Sequence, residues 1–305
     1  HTIDPGGGSH GLVIVMSGLL GAISWNLITW YFGLPSSSSH ALIGGLVGAA
    51  LAAGVGVSWS TVVEKVVIPM LVSPLFGFVA AFVVMTGIMW AFRNRNPGKT
   101  NRGFRAAQTL SAAAMALGHG LQDAQKTMGV IVLALVVGGF QTDTEIPLWV
   151  KLAAASAISL GTYAGGWRIM RTMGKGLCDI ESPQGFAAET ASTAAILASS
   201  HLGFALSTTH VCSGSILGSG IGRRTEVRWA TAGKMVIAWL VTLPASALVG
   251  AITSAIAGAG AWGVVIDLVL LAVMAAGIVR QANHHKVDHR NVNDSTQVGV
   301  RRKAP

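Results

Sequence analysis

Charged residues are scarce in this 305-residue sequence, in which Asp, Glu, Lys and Arg together make up 11%. Soluble domains usually carry about a quarter charged residues, so the composition argues for an integral membrane protein. Two stretches, residues 11–63 and 66–92, contain none of these four residue types. Because a spanning helix needs about 20 apolar residues, these stretches alone can supply several membrane passes through a lipid bilayer.

Cysteine is nearly absent, and the two thiols, Cys178 and Cys212, stand in unrelated contexts. Neither shows a spacing typical of a disulfide framework or a zinc site, so we expect neither. The net charge of +9 could indicate nucleic-acid binding. However, the basic residues cluster in short segments beside apolar runs, which is typical of cytoplasmic loops, and we expect no nucleic-acid partner.

The apolar sequence contains an internal repeat marked by two hydroxyl-rich runs. Residues 33–40 and 203–210 each begin with a glycine and end with a histidine. The hydroxyl side chains between them are Ser36, Ser37, Ser38 and Ser39 in the first run and Ser207, Thr208 and Thr209 in the second. The histidines, His40 and His210, are 170 residues apart, and the same offset pairs Pro74 with Pro244. The chain therefore contains two related halves.

Loop charges predict how these halves cross the membrane. Residues 93–105 carry five basic and no acidic residues, which predicts a cytoplasmic linker. This linker joins an incomplete first repeat, 1–92, to a second repeat, 106–280, and a basic tail, 281–305, is predicted to be disordered and cytoplasmic. Charges flanking the two hydroxyl runs give them opposite orientations. We therefore predict an all-α, polytopic membrane bundle with two inverted-topology repeats and broken, re-entrant helices, as in many secondary transporters.

The hydroxyl runs suit an anion site. Consecutive serines compete for backbone hydrogen bonds and favour an unwound turn that opens a new helix. First-turn N–H groups carry partial positive charge, and hydroxyl groups add donors for an oxyanion. The alternative is that these side chains only cap helices and bond across helix interfaces. His40 and His210 could likewise contact the substrate or bond a neighbouring backbone carbonyl.

Asp123 is a candidate ligand for a coupling cation or a proton. It lies in an apolar helix predicted over 106–140 and interrupted at 118–123, and a charge at the bilayer centre costs about 2.5–3.5 kcal/mol on insertion scales. The polar neighbours that would share its ligand are Gln122, Gln125 and Thr127. The alternative is an ion pair with Lys126, three residues further on. Glu189, followed by Thr190, is a weaker candidate that could instead lie near the cytoplasmic surface.

At these residues the sequence resembles the PiT family of inorganic phosphate transporters. Residues 118–129 look like the family's glycine-x-asparagine-aspartate segment with its Gln-Lys-Thr continuation. Residues 35–40 look like its first-half hydroxyl motif. Further segments similar to the family are 184–190, 207–211 and 222–229. The resemblance covers nearly all of residues 11–280.

Three features depart from the family pattern. The family carries the aspartate motif in each half, but the position 170 residues before Asp123 falls ahead of residue 1. We therefore expect a chain truncated at its N-terminus. Gln122 stands where the family has asparagine, and this longer amide would shift a cation site. Ala205 replaces the usual proline before the second hydroxyl run.

The resemblance implies symport of inorganic phosphate with a cation, by alternating access of one repeat against the other, in the cell membrane. It assigns phosphate to the hydroxyl runs and the coupling ion, H⁺ or Na⁺, to Asp123 and its polar neighbours. Gln122 favours a proton, with phosphate carried free or as a metal–phosphate complex. No enzyme activity or other cofactor is implied, and a homo-oligomer is compatible.

Two alternatives stay open. A related oxyanion such as sulfate could use the same scaffold. More remotely, an intramembrane hydrolase could pair Ser207 or Thr209 with His210 or His119, although adjacent Thr and His hardly form a nucleophile–base pair.

Overall fold

The computed structural model describes residue 3, residues 6–202 and residues 206–293. Its α-helices, α1 to α11 in chain order, are Gly8–Tyr31, Ser38–Ala52, Trp59–Val62, Ile68–Ala91, Pro97–Val137, Leu148–Ala164, Trp167–Arg171, Ser182–Leu202, Thr208–Gly222, Trp229–Ala257 and Ala261–His284. Two π-helical turns, Val63–Val67 and Thr172–Gly176, precede α4 and follow α7. Within these residues the β-structure is limited to isolated bridges.

The predicted all-α membrane fold is confirmed. The described residues contain five helical segments long and apolar enough to cross a membrane: Gly8–Tyr31, Trp59–Ala91, Pro97–Val137, Trp229–Ala257 and Ala261–His284. Helices prevail because every backbone N–H and C=O in hydrocarbon must find a partner within the protein.

The internal repeat is present in the backbone. The first residues of α2 and α9 are 170 positions apart, and so are their last residues. The first residues of α3 and α10 are also 170 positions apart. The turns that follow α2 and α9 also match: Gly54 N–H donates to the Leu51 carbonyl at 3.1 Å, and Arg224 N–H donates to the Ile221 carbonyl at 2.9 Å. Both residues have positive φ, +73° for Gly54 and +63° for Arg224. Since a side chain disfavours this conformation, Arg224 keeps the turn at a conformational cost. The opposite orientation of the repeats stays a prediction.

The chain divides into two compact units, and each takes helices from both halves of the repeat. Unit 1 comprises the described residues of 1–63, 123–166 and 235–287. Unit 2 comprises those of 64–122, 167–234 and 288–305. Helices α5 and α10 each contribute one part to each unit.

In unit 1, α2 packs closely against α10. A Cβ atom on Gly44 would collide with the Ser246 hydroxyl and the Leu243 backbone, and one on Gly48 would collide with the Ala247 backbone. The absence of side chains at both glycines therefore sets the helix separation, as is common where lipid provides no hydrophobic drive for helix association. The hydroxyl of Ser254 adds a hydrogen bond of 3.0 Å to the Ala49 carbonyl.

In unit 2, α9 packs against α4 in the equivalent way. A Cβ atom on Gly214 would collide with the Pro74 backbone, and one on Gly218 with the Phe78 backbone. The hydroxyl of Ser215 donates to the Gly77 carbonyl at 3.1 Å. Each short, broken-helix segment of one repeat thus packs on the proline-containing long helix of the other repeat.

The structure corrects the interruption predicted at 118–123, because α5 runs through these residues without a break. Gly118 is accommodated where the helix approaches Ile196 and Leu197 of α8. The basic linker 93–105 is helical from Pro97 onward, and Asn96 Oδ1 caps this helix by accepting the N–H of Gly98 at 3.0 Å.

The predicted tail 281–305 is partly helical, since α11 continues to His284. Farther along, Asn291 accepts two hydrogen bonds from Arg171, both 2.9 Å long, through its backbone and side-chain oxygens. Residues 294–305 lie outside the described part of the chain.

The glycine contacts predict a specific sensitivity in unit 2. Gly214→Ala should lower the thermal unfolding temperature in detergent, because overpacking against the Pro74 backbone costs about 1–3 kcal/mol. The matched control is Gly87→Ala in α4, where an added Cβ meets no atom within 4 Å. An equal response of the two variants would contradict this account of the α4–α9 contact.

Candidate functional site

Both hydroxyl runs open a helix through a serine cap. Ser37 Oγ accepts the His40 N–H at 3.3 Å and is the N-cap of α2. Ser207 Oγ accepts the His210 N–H at 3.4 Å and is the N-cap of α9. Each capping side chain is only 2% exposed. Because each oxygen serves as the acceptor, each hydroxyl hydrogen stays available for donation.

In unit 1, the residues around the first run hold it in place. Ser36 and Thr29 share a hydroxyl–hydroxyl hydrogen bond of 2.8 Å. The Trp239 ring N–H donates to the Pro35 carbonyl at 2.9 Å, which anchors the turn where helical hydrogen bonding is interrupted. The remaining serines of the run are accessible: Ser38 is exposed and Ser39 is half-buried.

In unit 2, the second run lies deeper. Thr208 is buried and Thr209 is half-buried. Gly203 and Ala205, at the start of the run, lie outside the described residues, so the effect of replacing the family's proline stays a prediction.

His210 satisfies a carbonyl that a proline leaves without its helical donor. Pro74 has no N–H, so the carbonyl four residues earlier, that of Met70, lacks its normal partner in α4. The Nδ1 atom of His210 lies 3.3 Å from this oxygen, and the ring is fully buried. Since a carbonyl can only accept, Nδ1 is the donor. This contact supports a structural role for His210. His40, at the equivalent position in unit 1, is also buried.

The coupling-ion candidates divide between the two units within α5. In unit 2, the Gln122 amide nitrogen donates to the Ser199 hydroxyl at 3.1 Å and to Ser200 at 3.4 Å. Its Oε1 atom is buried and accepts no hydrogen bond. This unused acceptor is suited to a cation.

In unit 1, Asp123 lies 3.5 Å from the Lys126 ammonium group, which is the ion pair considered from the spacing. Thr127 donates its hydroxyl to the Asp123 backbone carbonyl at 3.0 Å. The negative charge of Asp123 is therefore largely balanced by a neighbour on its own helix. Gln125 lies on the same helix, two residues after Asp123.

Glu189 faces α5 within unit 2. The Ser111 hydroxyl donates to its Oε2 atom at 2.5 Å, and the side chain is half-buried. The next residue, Thr190, is half-buried as well. Four residues after Glu189, Thr193 contacts the Met115 sulfur at 3.6 Å. Glu189 thus belongs to a polar seam between two helices of unit 2.

A cavity of about 250 Å³ opens beside the second hydroxyl run. Its lining is mostly apolar, with polar groups from Glu64, Ser73 and Ser199, and it includes Leu206, which precedes Ser207. The Ser73 hydroxyl is buried and has no hydrogen-bond partner within the residues that the structure describes. Ser73 was not predicted from the sequence because the repeat offers no counterpart: the residue 170 positions later is Leu243.

The structure provides little for metal or thiol chemistry. Among the described residues, no group of three His, Cys, Asp or Glu side chains is placed to hold a metal ion. Burial raises the pKa of the Cys178 thiol to about 11, so this thiol is protonated at physiological pH and is a poor nucleophile.

The role of His210 can be tested with a double-mutant cycle. His210→Leu should lower the free energy of unfolding by about 1–3 kcal/mol, because it leaves the Met70 carbonyl buried without a donor. In a Pro74→Ala background, the new backbone N–H should satisfy that carbonyl, and the cost of His210→Leu should shrink. Thermal unfolding of the four proteins measures the coupling, and purely additive effects would contradict the proposed hydrogen bond.

Comparisons with known proteins agree with this architecture. The sequence model described as "PHO4: Phosphate transporter family" matches residues 3–102 and 92–250. A protein from Mycobacterium leprae described as "Probable low-affinity inorganic phosphate transporter" is 51% identical over 292 residues, which are 93% of this chain and 70% of that protein. A protein of the same description from Bacillus subtilis is 42% identical over 254 residues, covering 82% and 76% of the two chains.

A solved structure titled "The sodium-dependent phosphate transporter" shares the fold, with a TM-score of 0.72 at 24% identity over 79% of this chain and 78% of the other. These relatives are named as transporters, not enzymes. The family model covers well over half of the sequence, and the helical architecture of this chain matches that of a solved transporter. This chain therefore belongs to the phosphate transporter family.

Proposed function

We propose that this protein carries inorganic phosphate across the cell membrane by cation symport and alternating access. The observation that carries the proposal is the pair of equivalent serine caps, Ser37 and Ser207, each opening a short helix with further hydroxyl side chains behind it. The family and the names of the relatives support phosphate as the substrate.

The hydroxyl runs offer phosphate hydrogen-bond donors without a fixed positive charge. The capping oxygen of each run already accepts a backbone N–H, so its own hydrogen is available to donate to an anion. The first-turn N–H groups of α2 and α9 have no carbonyl partner within their helices, and they add the partial positive charge of a helix N-terminus. Hydrogen bonds to charged groups are worth about 1.5–3 kcal/mol each. We assign this role to Ser36, Ser37, Ser38, Ser39, Ser207, Thr208 and Thr209.

The coupling ion is assigned to α5. The buried Oε1 atom of Gln122 has no hydrogen-bond partner in the described part of the chain and is available to a cation, and Asp123, Gln125 and Thr127 continue the polar segment. We favour a proton over sodium because Gln122 is longer than the family's asparagine. The solved relative is titled sodium-dependent, so the uptake experiment compares a proton gradient with a sodium gradient.

The membrane orientation follows from charge. The basic segment 93–105 and the basic C-terminal tail are placed in the cytoplasm by the excess of Lys and Arg expected on that side. A related oxyanion such as sulfate is the alternative substrate, and competition by sulfate against labelled phosphate uptake distinguishes the two.

The donor role predicts a selective loss on removing hydroxyl groups. In the full-length protein, Thr208→Val combined with Thr209→Val keeps the side-chain shape and removes two donors. The KM for phosphate should rise at least about tenfold, since each hydrogen bond to the anion contributes more than 1.4 kcal/mol. Thr109→Val, an exposed position on α5, is the control. Unchanged uptake by the double variant would remove both threonines from the site.

The coupling ion is tested by labelled-phosphate uptake into proteoliposomes under a pH gradient alone and a sodium gradient alone. We expect the pH gradient to drive uptake. Uptake driven by the sodium gradient would support phosphate transport and contradict the proton as the coupling ion. Absence of phosphate uptake under both gradients would overturn the proposed function.

A further inference from the structure

A second carboxyl group lies inside a candidate membrane span of unit 1. Asp267 belongs to α11, and no other Asp, Glu, Lys or Arg occurs between Ala261 and Val279. Asp267 is only 2% exposed, and neither of its carboxylate oxygens has a hydrogen-bond partner among the described residues. Polar groups buried in this way are ordinarily paired, so an unpaired acid here indicates a ligand that the protein itself does not supply.

The side chain faces the interior of its unit. Over the first ten residues of α11, the buried positions are Gly263 and Asp267, four residues apart on one helix face. A Cβ atom on Gly263 would collide with the Ile256 backbone at the end of α10, so this face of α11 is tightly covered. The surrounding positions, such as Val265, Ile266 and Leu268, are exposed.

Helix α1 and the unit 1 part of α10 contact α11, and neither segment contains Asp, Glu, Lys or Arg. Helix α1 packs against α11, and its titratable side chains, His10 and Tyr31, are near its two ends. The part of α10 in unit 1, residues 235–257, contains no titratable residue. On α11 itself the next charged residue is Arg280, about 20 Å farther along the helix axis at 1.5 Å per residue.

We propose that Asp267 is a proton-binding site, and that its protonation and deprotonation accompany phosphate transport. The second part rests on the proposed function, whereas proton binding itself does not. An ionised carboxylate buried without a partner is strongly disfavoured, and uptake of one proton by one carboxylate oxygen gives the neutral acid. Release of the same proton restores the carboxylate when the site meets water.

A proton fits this site better than a metal ion. Binding a metal ion at a buried site requires several ligands, and within the described residues no three His, Cys, Asp or Glu side chains are grouped to provide them. The other intramembrane acid of unit 1, Asp123, has its charge balanced by Lys126. Among the described residues Asp267 has no such counter-ion, so it is a proton site additional to the coupling-ion site proposed on α5.

Infrared spectroscopy of the reconstituted full-length protein tests proton binding without requiring transport. A protonated carboxyl group absorbs apart from carboxylates and shifts in deuterium oxide. We expect Asp267→Asn to lose a carboxylic acid band that the wild type shows at neutral pH. Asp143→Asn, which removes a carboxyl group from an exposed loop, should retain the band. An unchanged band in Asp267→Asn would overturn the assignment.

Uptake measurements test coupling separately. Asp267→Asn should lose the acceleration of phosphate uptake by an acidic exterior, while Asp267→Glu, which keeps a carboxyl group, should retain it. Both results are needed, because an acid with only a structural role would not make the pH dependence of uptake require a carboxyl group at position 267. If Asp267→Asn responds to the pH gradient like the wild type, the coupling role is wrong although phosphate transport stands. If no protein transports phosphate, the proposed function and the coupling role fail together, and the infrared result still decides proton binding.

Discussion

Satisfying backbone polar groups within a hydrocarbon medium is the constraint on which this structure depends. Helices meet it over most of the chain, and the exceptions are concentrated at the helix breaks and at the prolines. At the breaks, Ser37 and Ser207 supply caps for new helices. At Pro74, the freed Met70 carbonyl receives the His210 ring N–H from another helix. The two serines that cap the new helices are therefore also candidates for anion binding, whereas His210 has a structural contact.

Glycine contacts bring the irregular segments into place. Gly44 in unit 1 and Gly214 in unit 2 let a short helix approach the backbone of a proline-containing long helix. In each case the short helix and the long helix come from different halves of the repeat. This exchange explains why a chain with two related halves does not fold into one unit per half. Close backbone approach also brings hydroxyl side chains such as Ser215 within reach of carbonyls on the facing helix.

The few acidic side chains within the apolar helices occupy distinct environments. Asp123 has an ammonium partner on its own helix, and Glu189 accepts a hydroxyl hydrogen from a neighbouring helix. Asp267 has neither kind of partner among the described residues. Burial penalises a charge unless something compensates it, and among these three acids Asp267 is the one for which the described residues provide no compensating group.

The membrane class, the repeat and the two hydroxyl runs were determined by the sequence itself, because hydropathy and a 170-residue offset depend only on residue order. The same holds for the Asp123–Lys126 pair, whose partners are one helical turn apart. Four features required the tertiary structure: the exchange of helices between units, the contact of His210 with Met70, the burial of Asp267, and the uninterrupted course of α5 through Gly118 and Gly120. These features depend on which distant helices meet, and a pattern read along one chain carries no information about that choice.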